Sequence, residues 1–132
     1  MDGRPLHALD VAWMRHDYDW NDAAALARLV RDLASAGSVI AASSEGALFE
    51  YGGDDAIVAN LEALHAGGTG ARLVVGSVTR FDEARQRMIE ETRFRLIPRG
   101  LAGFAPLATR AGFAVAKSEP AWLSDQVLLR PG

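Results

Sequence analysis

The sequence predicts an α/β fold: a Rossmann-like partial sheet, mostly parallel, that ends in a C-terminal antiparallel hairpin and carries helices on both faces. Two short apolar runs, at residues 38–43 and 72–77, each end in polar residues, and a helix-like segment lies between them. Parallel strands that are buried on both faces read as unbroken apolar runs, and a crossover helix joins them. The 132 residues suffice for one domain with a sound core, and we assign residues 1–20 to its N-terminal arm.

The first helix is predicted over residues 21–36, with Asn21 or Asp19 as its N-terminal cap and Gly37 as its stop. Apolar residues recur in it at the spacing i, i+3, i+4, i+7, which places them on one buried stripe. They are Leu26, Leu29, Val30 and Leu33.

A loop over residues 44–53 separates the first predicted strand from a second helix over residues 54–66. The acidic pair Asp54 and Asp55 suits the positive N-terminal end of that helix. Glycine-rich residues 67–70 precede the second strand, and we interpret them as a helix stop and a turn. The predicted buried stripe of this helix is Ile57, Val58, Leu61 and Leu64.

A charge-rich third helix is predicted over residues 82–91, and residues 93–97 alternate as in a short strand or an extended link. A fourth helix is predicted over residues 101–111, where Pro106 indicates a kink or a delayed start. The last two apolar runs are too close for a helical crossover, so we expect them to form an antiparallel pair. These two strands are residues 113–118 and 126–130.

Composition and charge exclude several classes of function. The net charge is −3, from 14 basic and 17 acidic residues with a single lysine, Lys117, which argues against a broad nucleic-acid surface. The chain has no cysteine, so disulfides, thiolate metal sites and a cysteine nucleophile are excluded. No apolar run reaches the roughly 20 residues that span a bilayer, and the N-terminal residues lack the features of a signal peptide. We therefore expect a cytoplasmic protein that binds neither nucleic acid nor membranes.

Polar residues follow the first predicted strand, at the end where open α/β sheets bind ligands. Their hydroxyls and carboxylates could hydrogen-bond a small polar substrate in a crevice. Alternatively, Ser44 and Glu45 form a turn while Phe49 and Tyr51 pack on the domain. Ser43 is not expected to be a nucleophile, because the first glycine of G-x-S-x-G is missing and no histidine is placed to serve it. The substrate-binding candidates in this loop are Ser43, Ser44, Glu45, Glu50 and Tyr51.

Further substrate-binding candidates end the second predicted strand: Ser77, Thr79 and Arg80. The guanidinium of Arg80 could bind a carboxylate or a phosphate through two hydrogen bonds. The alternative for Arg80 is a surface salt bridge with Asp82 or Glu83, which would contribute little to binding or stability.

A histidine and two carboxylates lie close together at residues 16–19, and such ligands could hold a metal ion. An open arm holds ligands poorly, and Asp19 is a natural helix cap, so we expect no metal. His7 and His65 are isolated in the sequence. We expect His65, near the end of the second helix, to interact with the dipole of that helix.

The remaining aromatic residues are interpreted as packing residues. In the arm, Val11, Trp13 and Met14 are expected to pack on the domain as an extended arm or a short strand. Trp13, Trp20 and Trp122 are expected to be packing anchors, because a base-stacking platform would also need a basic groove.

Two stretches of the chain carry a family resemblance. The first is the helix-to-strand unit over residues 60–77, and the second is the segment 107–115, which is similar to an "L…aGF.v" signature. Together and in this order they resemble the C-terminal half of a class I S-adenosylmethionine (SAM)-dependent methyltransferase, over residues 21–132. The resemblance implies a Rossmann-like sheet with a reversed last strand, and SAM as the possible cofactor.

The chain departs from that family where the cofactor binds. The family holds SAM with a Gly-rich loop after its first strand, where glycines let the backbone approach the ligand, and with an acidic residue after its second strand. No such loop follows a predicted strand here. We therefore expect a methyltransferase-like protein or fragment without independent SAM-dependent activity. Residues 43–53 and 77–80 would form the substrate side of its cleft, and a partner or a missing segment would supply the loop.

A second functional class stays open, a non-catalytic small-molecule-binding or dimerisation domain that retains only the scaffold. In the complete family fold the strand at residues 38–43 would lie inside the sheet, so here one of its edges is expected to be unpaired and apolar. Such an edge is a template for pairing with another chain. We therefore expect a homodimer or a partner chain at the exposed edge of the sheet.

Overall fold

The computed structural model describes residues 10–66 and 72–132. His7 and the predicted glycine turn at residues 67–70 lie outside these ranges. No described helix combines the length and the apolar character needed to cross a membrane. In chain order the described elements are α1 (Ala23–Ser35), β1 (Ile40–Ser44), α2 (Leu48–Tyr51), α3 (Asp54–Leu64), β2 (Arg72–Thr79), α4 (Glu83–Thr92), α5 (Gly100–Arg110), β3 (Phe113–Pro120) and β4 (Ser124–Pro131).

The strands form a mixed sheet in the order β1-β2-β4-β3. β1 pairs with β2 in parallel, and β4 pairs antiparallel with both β2 and β3. The predicted α/β class, the parallel pair and the closing antiparallel hairpin are confirmed. The described sheet is less parallel than the sequence predicted, because β4 inserts between β2 and β3 and so makes two antiparallel pairings.

The hydrophobic core lies on one face of this sheet. Side chains alternate between the two faces of a strand; Val74 and Val78 of β2 and Leu129 of β4 point to the core face and are at most 3% exposed. Helices α3 and α5 cover this face. The four apolar residues predicted as the stripe of α3 are all buried in the core, together with Phe104, Leu107 and Ala108 of α5.

The opposite face of the sheet is less well covered. Val75 and Leu128 pair across β2 and β4 on this face, and neither belongs to the core cluster. Val75 is 37% exposed, and Val39, just before β1, is 75% exposed. The predicted fold class, with helices around the sheet, is confirmed; the long helices that contribute to the core cluster, α1, α3 and α5, pack side by side in that order.

Local hydrogen bonding changes the predicted start of α1. The side chain of Asp22 accepts a hydrogen bond from the Ala25 amide at 3.3 Å and is the cap, so the prediction of Asn21 or Asp19 as cap was wrong. Asp19 instead accepts a hydrogen bond from the Asn21 amide at 2.8 Å in the preceding turn. The predicted stop is confirmed, because Gly37 has a φ of +79°, a conformation that glycine adopts without steric cost.

The predicted loop and link regions are more ordered than a sequence pattern can show. Residues 44–53 contain α2, a single helical turn that is too short to produce a periodic signal. Residues 93–97 form the extended link and not a strand; the Ile97 amide donates to the carbonyl of Glu50 at 2.7 Å. Helix α5 already begins at Gly100, so Pro106 does not delay its start.

The arm does not pack as predicted. Val11, Trp13 and Met14 are 52%, 90% and 71% exposed, so the expectation that they contact the domain was wrong. Trp122 is 87% exposed on the β3–β4 turn and is no packing anchor either. Trp20 does pack against the core. The described arm is attached to the domain near its end, where Tyr18 and Trp20 hydrogen-bond Asn60 of α3.

Gly76 offers a test of how closely α2 packs on β2. A Cβ atom at Gly76 would lie 2.5 Å from the Phe49 ring, whereas one at Gly53 would meet nothing within 4 Å. We expect Gly76→Ala to lower the free energy of unfolding by about 1–3 kcal/mol, the usual cost of overpacking. The matched change Gly53→Ala should cost no more than about 0.5 kcal/mol. Urea unfolding measures both; equal losses would show that the contact between Phe49 and Gly76 is not tight in solution.

Candidate functional site

The carboxylate of Glu50 bridges α2 and the end of β2. Its Oε2 accepts a hydrogen bond from the Ser77 hydroxyl and its Oε1 accepts one from the Thr79 hydroxyl, both at 3.0 Å. Ser77 and Thr79 are 4% and 1% exposed. Both lie inside β2 and not beyond it, because pairing with β4 extends that strand to Thr79. The structure therefore brings together three of the predicted site residues.

The same cluster holds the loop that follows β1. The Ser77 hydroxyl also accepts a hydrogen bond from the Gly46 amide at 3.0 Å, so it links the loop to β2. Phe49 is buried, as one of the sequence interpretations expected, and its ring lies 4.8 Å from that of Phe104 in α5. Tyr51 is 37% exposed and stays on the surface.

Arg99 is a structural residue that the sequence analysis missed. Its guanidinium donates to the carbonyls of Phe49 and Gly52 at 3.2 and 2.6 Å, and to Oδ1 of Asp54 at 2.9 and 2.7 Å. The Arg99 side chain is only 6% exposed. It thereby holds the turn between α2 and α3 against the start of α5. A lone arginine after a proline carries no sequence signal for such a role.

Two separate cavities contain most of the predicted site residues. We call the first the outer groove; it has a volume of about 230 Å³ and includes Glu50, Tyr51 and Thr79. The remaining residues of the outer groove are Met88, Phe94, Leu96 and Leu123. Its lining combines the last residue of β2, Thr79, with α2 and the link after α4, and it is largely apolar apart from the Glu50 carboxylate and two hydroxyls.

We call the second the inner cavity; it has a volume of about 320 Å³ and lies between the core face of β1, α1 and α3. Ser43, Ser44 and Glu45 line it at the end of β1. The Ser44 hydroxyl is inaccessible to solvent and has no hydrogen-bond partner among the described residues. The inner cavity and the outer groove share none of the described residues that line them. The residues predicted to line one crevice therefore lie in two separate cavities.

Arg80 lies outside both cavities. Its Nε is 3.8 Å from Oδ2 of Asp82, and both side chains are about 40% exposed. This is the surface salt bridge that was one of the two interpretations of Arg80, and such exposed pairs contribute little.

Asn60 joins the arm to the inner cavity. It is 1% exposed, accepts a hydrogen bond from the Tyr18 hydroxyl at 2.6 Å and donates to the carbonyls of Trp20 and Ala56 at 2.7 and 2.8 Å. Burial, and secondly the charge of Asp19, raises the pKa of Tyr18 above its ordinary value. These hydrogen bonds fix residues 18–20, which we call the strap, to α3, and both Tyr18 and Asn60 line the inner cavity.

Two of the three histidines, His16 and His65, lie in the part of the chain that the structure describes. In the described ranges, no group of three histidine, aspartate or glutamate side chains is close enough to hold a metal ion, and this includes the cluster at residues 16–19. His65 follows the last residue of α3; its Nε2 lies 2.9 Å from the carbonyl of Gly112, and its ring packs 4.4 Å from that of Phe113.

On the exposed β3 edge, the hydrogen bond between Lys117 and Glu119 raises the pKa of Lys117 and lowers that of Glu119.

The chain is similar in fold to solved methyltransferase structures. A methyltransferase of calicheamicin biosynthesis with bound S-adenosylhomocysteine (SAH) matches 70% of this chain and 30% of its own, with 18% identity and a TM-score of 0.52. An O-methyltransferase of neocarzinostatin biosynthesis in complex with SAM and 2-hydroxy-5-methyl naphthoic acid matches 83% and 38%, with 22% identity and a TM-score of 0.52. Magnesium protoporphyrin IX methyltransferase from Synechocystis PCC 6803 with bound SAH matches 70% and 44%, with 11% identity and a TM-score of 0.50.

These similarities establish a methyltransferase-like fold, and they concern part of each known protein. The chain spans 30% to 44% of the length of these three structures. No protein-family profile matches the sequence, and no curated protein matches it.

The Glu50 bridge predicts a specific loss of stability. In Glu50→Ala the buried hydroxyls of Ser77 and Thr79 lose their acceptor, so we expect the free energy of unfolding to fall by about 2 kcal/mol or more. Glu45, in the same loop, is exposed and makes no such bridge. Glu45→Ala should therefore change stability by no more than about 0.5 kcal/mol. Urea unfolding measures both variants. If Glu45→Ala lowers the free energy of unfolding as much as Glu50→Ala does, the stabilising role of the Glu50 bridge is contradicted.

The Tyr18 pKa predicts a stability that depends on pH. Because the pKa of Tyr18 is raised in the folded chain from its ordinary value of 10.0, its stabilising effect is complete below that value and is lost as the pH rises through the folded pKa. Tyrosinate absorbance should show a component that titrates above 10.0. That component should disappear in Tyr18→Phe and persist in Tyr51→Phe, and the reverse pattern would refute the assignment.

Proposed function

We propose that this chain forms the acceptor-binding side of a methyl-transfer cleft and does not transfer methyl groups from SAM as an isolated chain. One observation carries the proposal: the Glu50 carboxylate lies in the outer groove at the carboxyl ends of a parallel strand pair, within a methyltransferase-like fold. Ligands of open α/β sheets bind at such strand ends.

Glu50 retains hydrogen-bonding capacity for a ligand. A carboxylate has about four lone-pair sites, and the Ser77 and Thr79 hydroxyls occupy two of them. An acceptor molecule that carries a hydroxyl could donate to a remaining site, while Met88, Phe94 and Leu96 contact its apolar part. The fixed carboxylate would orient the acceptor oxygen, and orientation of this kind is a large part of what a transferase supplies.

The described residues do not fit SAM itself. At Gly76 the space that a ligand could approach is filled by the Phe49 ring, and at Gly52 it is filled by the Leu48 side chain. The Gly46 amide, which could have bound a ligand carboxylate, already donates to Ser77. Between β1 and α2 the chain has one glycine, Gly46, and residues 80–82 between β2 and α4 have none. The proposal therefore assigns the cofactor site to a second chain or to a further segment of the protein.

The edge strand β1 favours a second candidate function, a dimerisation scaffold. β1 is the terminal strand of the described sheet, and its five residues include no charge and no proline, which are the features that normally protect an edge. Val39 beside it is 75% exposed. Association through this edge would give a homodimer or a complex with a partner chain.

Calorimetric titration with SAM and SAH, together with light scattering, separates these candidates. We expect no micromolar binding of either compound to the isolated chain, because the described strand ends offer no cradle for them. Micromolar binding would contradict the proposal and show that the chain completes a cofactor site, for instance across a dimer.

Binding of an acceptor molecule is tested separately, by nuclear magnetic resonance with phenol as the probe. Phenol should shift the amide resonances of Tyr51 and Thr79, and Glu50→Gln should weaken this effect while Glu45→Gln, in the same loop, leaves it intact. Light scattering that shows a dimer, without any phenol effect at these amides, would favour the scaffold function over the acceptor-binding one.

A further inference from the structure

We propose that the inner cavity is a binding site for a neutral, two-ring aromatic molecule that carries one hydroxyl or amino group. This inference concerns the core side of β1. It does not rest on methyl transfer, which is proposed for the outer groove. The arguments are the volume of the cavity, its apolar walls, its unpaired hydroxyl and its charge.

The size of the cavity defines the size of the ligand. Dry apolar cavities of about 150 Å³ in proteins bind benzene, and the inner cavity measures about 320 Å³. It therefore accepts a molecule about twice as large as benzene. The cavity is partly open to solvent, since Ser43 and Glu45 in its lining are exposed, so a ligand can enter it and displace water.

The walls of the cavity are apolar on three sides. β1 contributes Ala42, β2 contributes Val74, and helices α1, α2 and α3 contribute leucine side chains. Small-molecule sites combine such walls with a few polar groups that fix the orientation of the ligand. The leucines in contact with the cavity are Leu26, Leu48, Leu61 and Leu64.

Ser44 supplies the polar group that has no other role. Its hydroxyl is buried and unpartnered among the described residues, and a buried hydroxyl without a hydrogen bond is destabilising. Rotation about its Cα–Cβ bond would present it to a ligand. The neighbouring polar side chain cannot serve as donor, because both amide hydrogens of Asn60 are bound to the carbonyls of Trp20 and Ala56.

Charge selects a neutral ligand. Among the described residues that line the cavity, Glu45 carries the one carboxylate, and none is a lysine, an arginine or a histidine. An anionic ligand would therefore be desolvated beside a negative charge without a compensating cation, which is unfavourable. Tyr18 of the strap also lines the cavity; its hydroxyl donates to Asn60, which leaves the hydroxyl lone pairs free for a ligand donor.

Nuclear magnetic resonance with 2-naphthol tests the proposal directly. At neutral pH we expect 2-naphthol to bind and to give intermolecular NOEs to the methyl groups of Leu61 and Val74, while 2-naphthoate binds at least about tenfold more weakly because of its charge. NOEs to Leu96 and Leu123 instead would place the compound in the outer groove and overturn this proposal without affecting the proposed function. No binding at millimolar 2-naphthol would also overturn it.

Two variants of adjacent residues provide a matched control. Ala42 lines the inner cavity, whereas Ala41 on the same strand is exposed and points to the opposite face. Ala42→Phe should abolish binding of 2-naphthol by filling the space, and Ala41→Phe should leave the affinity unchanged. Equal affinities in the two folded variants would refute the site.

Ser44→Ala keeps the proposal testable if Ala42→Phe does not fold. Loss of one hydrogen bond should weaken 2-naphthol binding ~2- to 10-fold, while the binding of naphthalene, which has no hydroxyl, should not weaken. A Ser44→Ala variant that binds both compounds as the unsubstituted chain does, without NOEs to Leu61, would exclude the inner cavity as their site.

Discussion

The bridge between Glu50 and the two hydroxyls of β2 is the interaction on which the arrangement of the strand ends depends. β2 continues past the end of β1, so its last residues have no strand neighbour on that side. The Glu50 carboxylate instead ties this end of β2 to α2 by accepting hydrogen bonds from the side-chain hydroxyls of Ser77 and Thr79. With α2 held there, Phe49 fills the space above Gly76, and the core is closed at this end.

The sequence predicted the parts of the fold that repeat. The stripe of α3, the strands of the hairpin and the stop at Gly37 follow from spacing or from a single backbone requirement. The one-turn helix α2 and the Asp22 cap were not predicted. One helical turn has no period, and Asp22 is a cap residue type like the two predicted caps beside it, Asp19 and Asn21. Trp13 is exposed, which shows that an aromatic residue in a segment without hydrophobic periodicity does not by itself predict packing against the domain.

The candidate site was predicted as a region and not as an arrangement. Strand ends gave the right residue types, and Glu50, Ser77 and Thr79 do meet. The sequence did not indicate that Ser44 and Tyr51 would line different cavities. The direction of a side chain at a strand end depends on the residue at which the strand stops. Arg99 was missed since its partners are mainly backbone carbonyls, which every sequence has and no sequence pattern shows.

The two outer strands of the sheet differ in what they offer to other molecules. β3 carries an irregularity between Val115 and Lys117, an ion pair between Lys117 and Glu119, and a terminal proline, Pro120. These features obstruct strand pairing, and β1 has none of them. A chain with one receptive edge can join a second copy only edge to edge about a twofold axis, which leaves no edge for a third. Self-association by this route would end in a closed pair, whereas two receptive edges would permit an open filament.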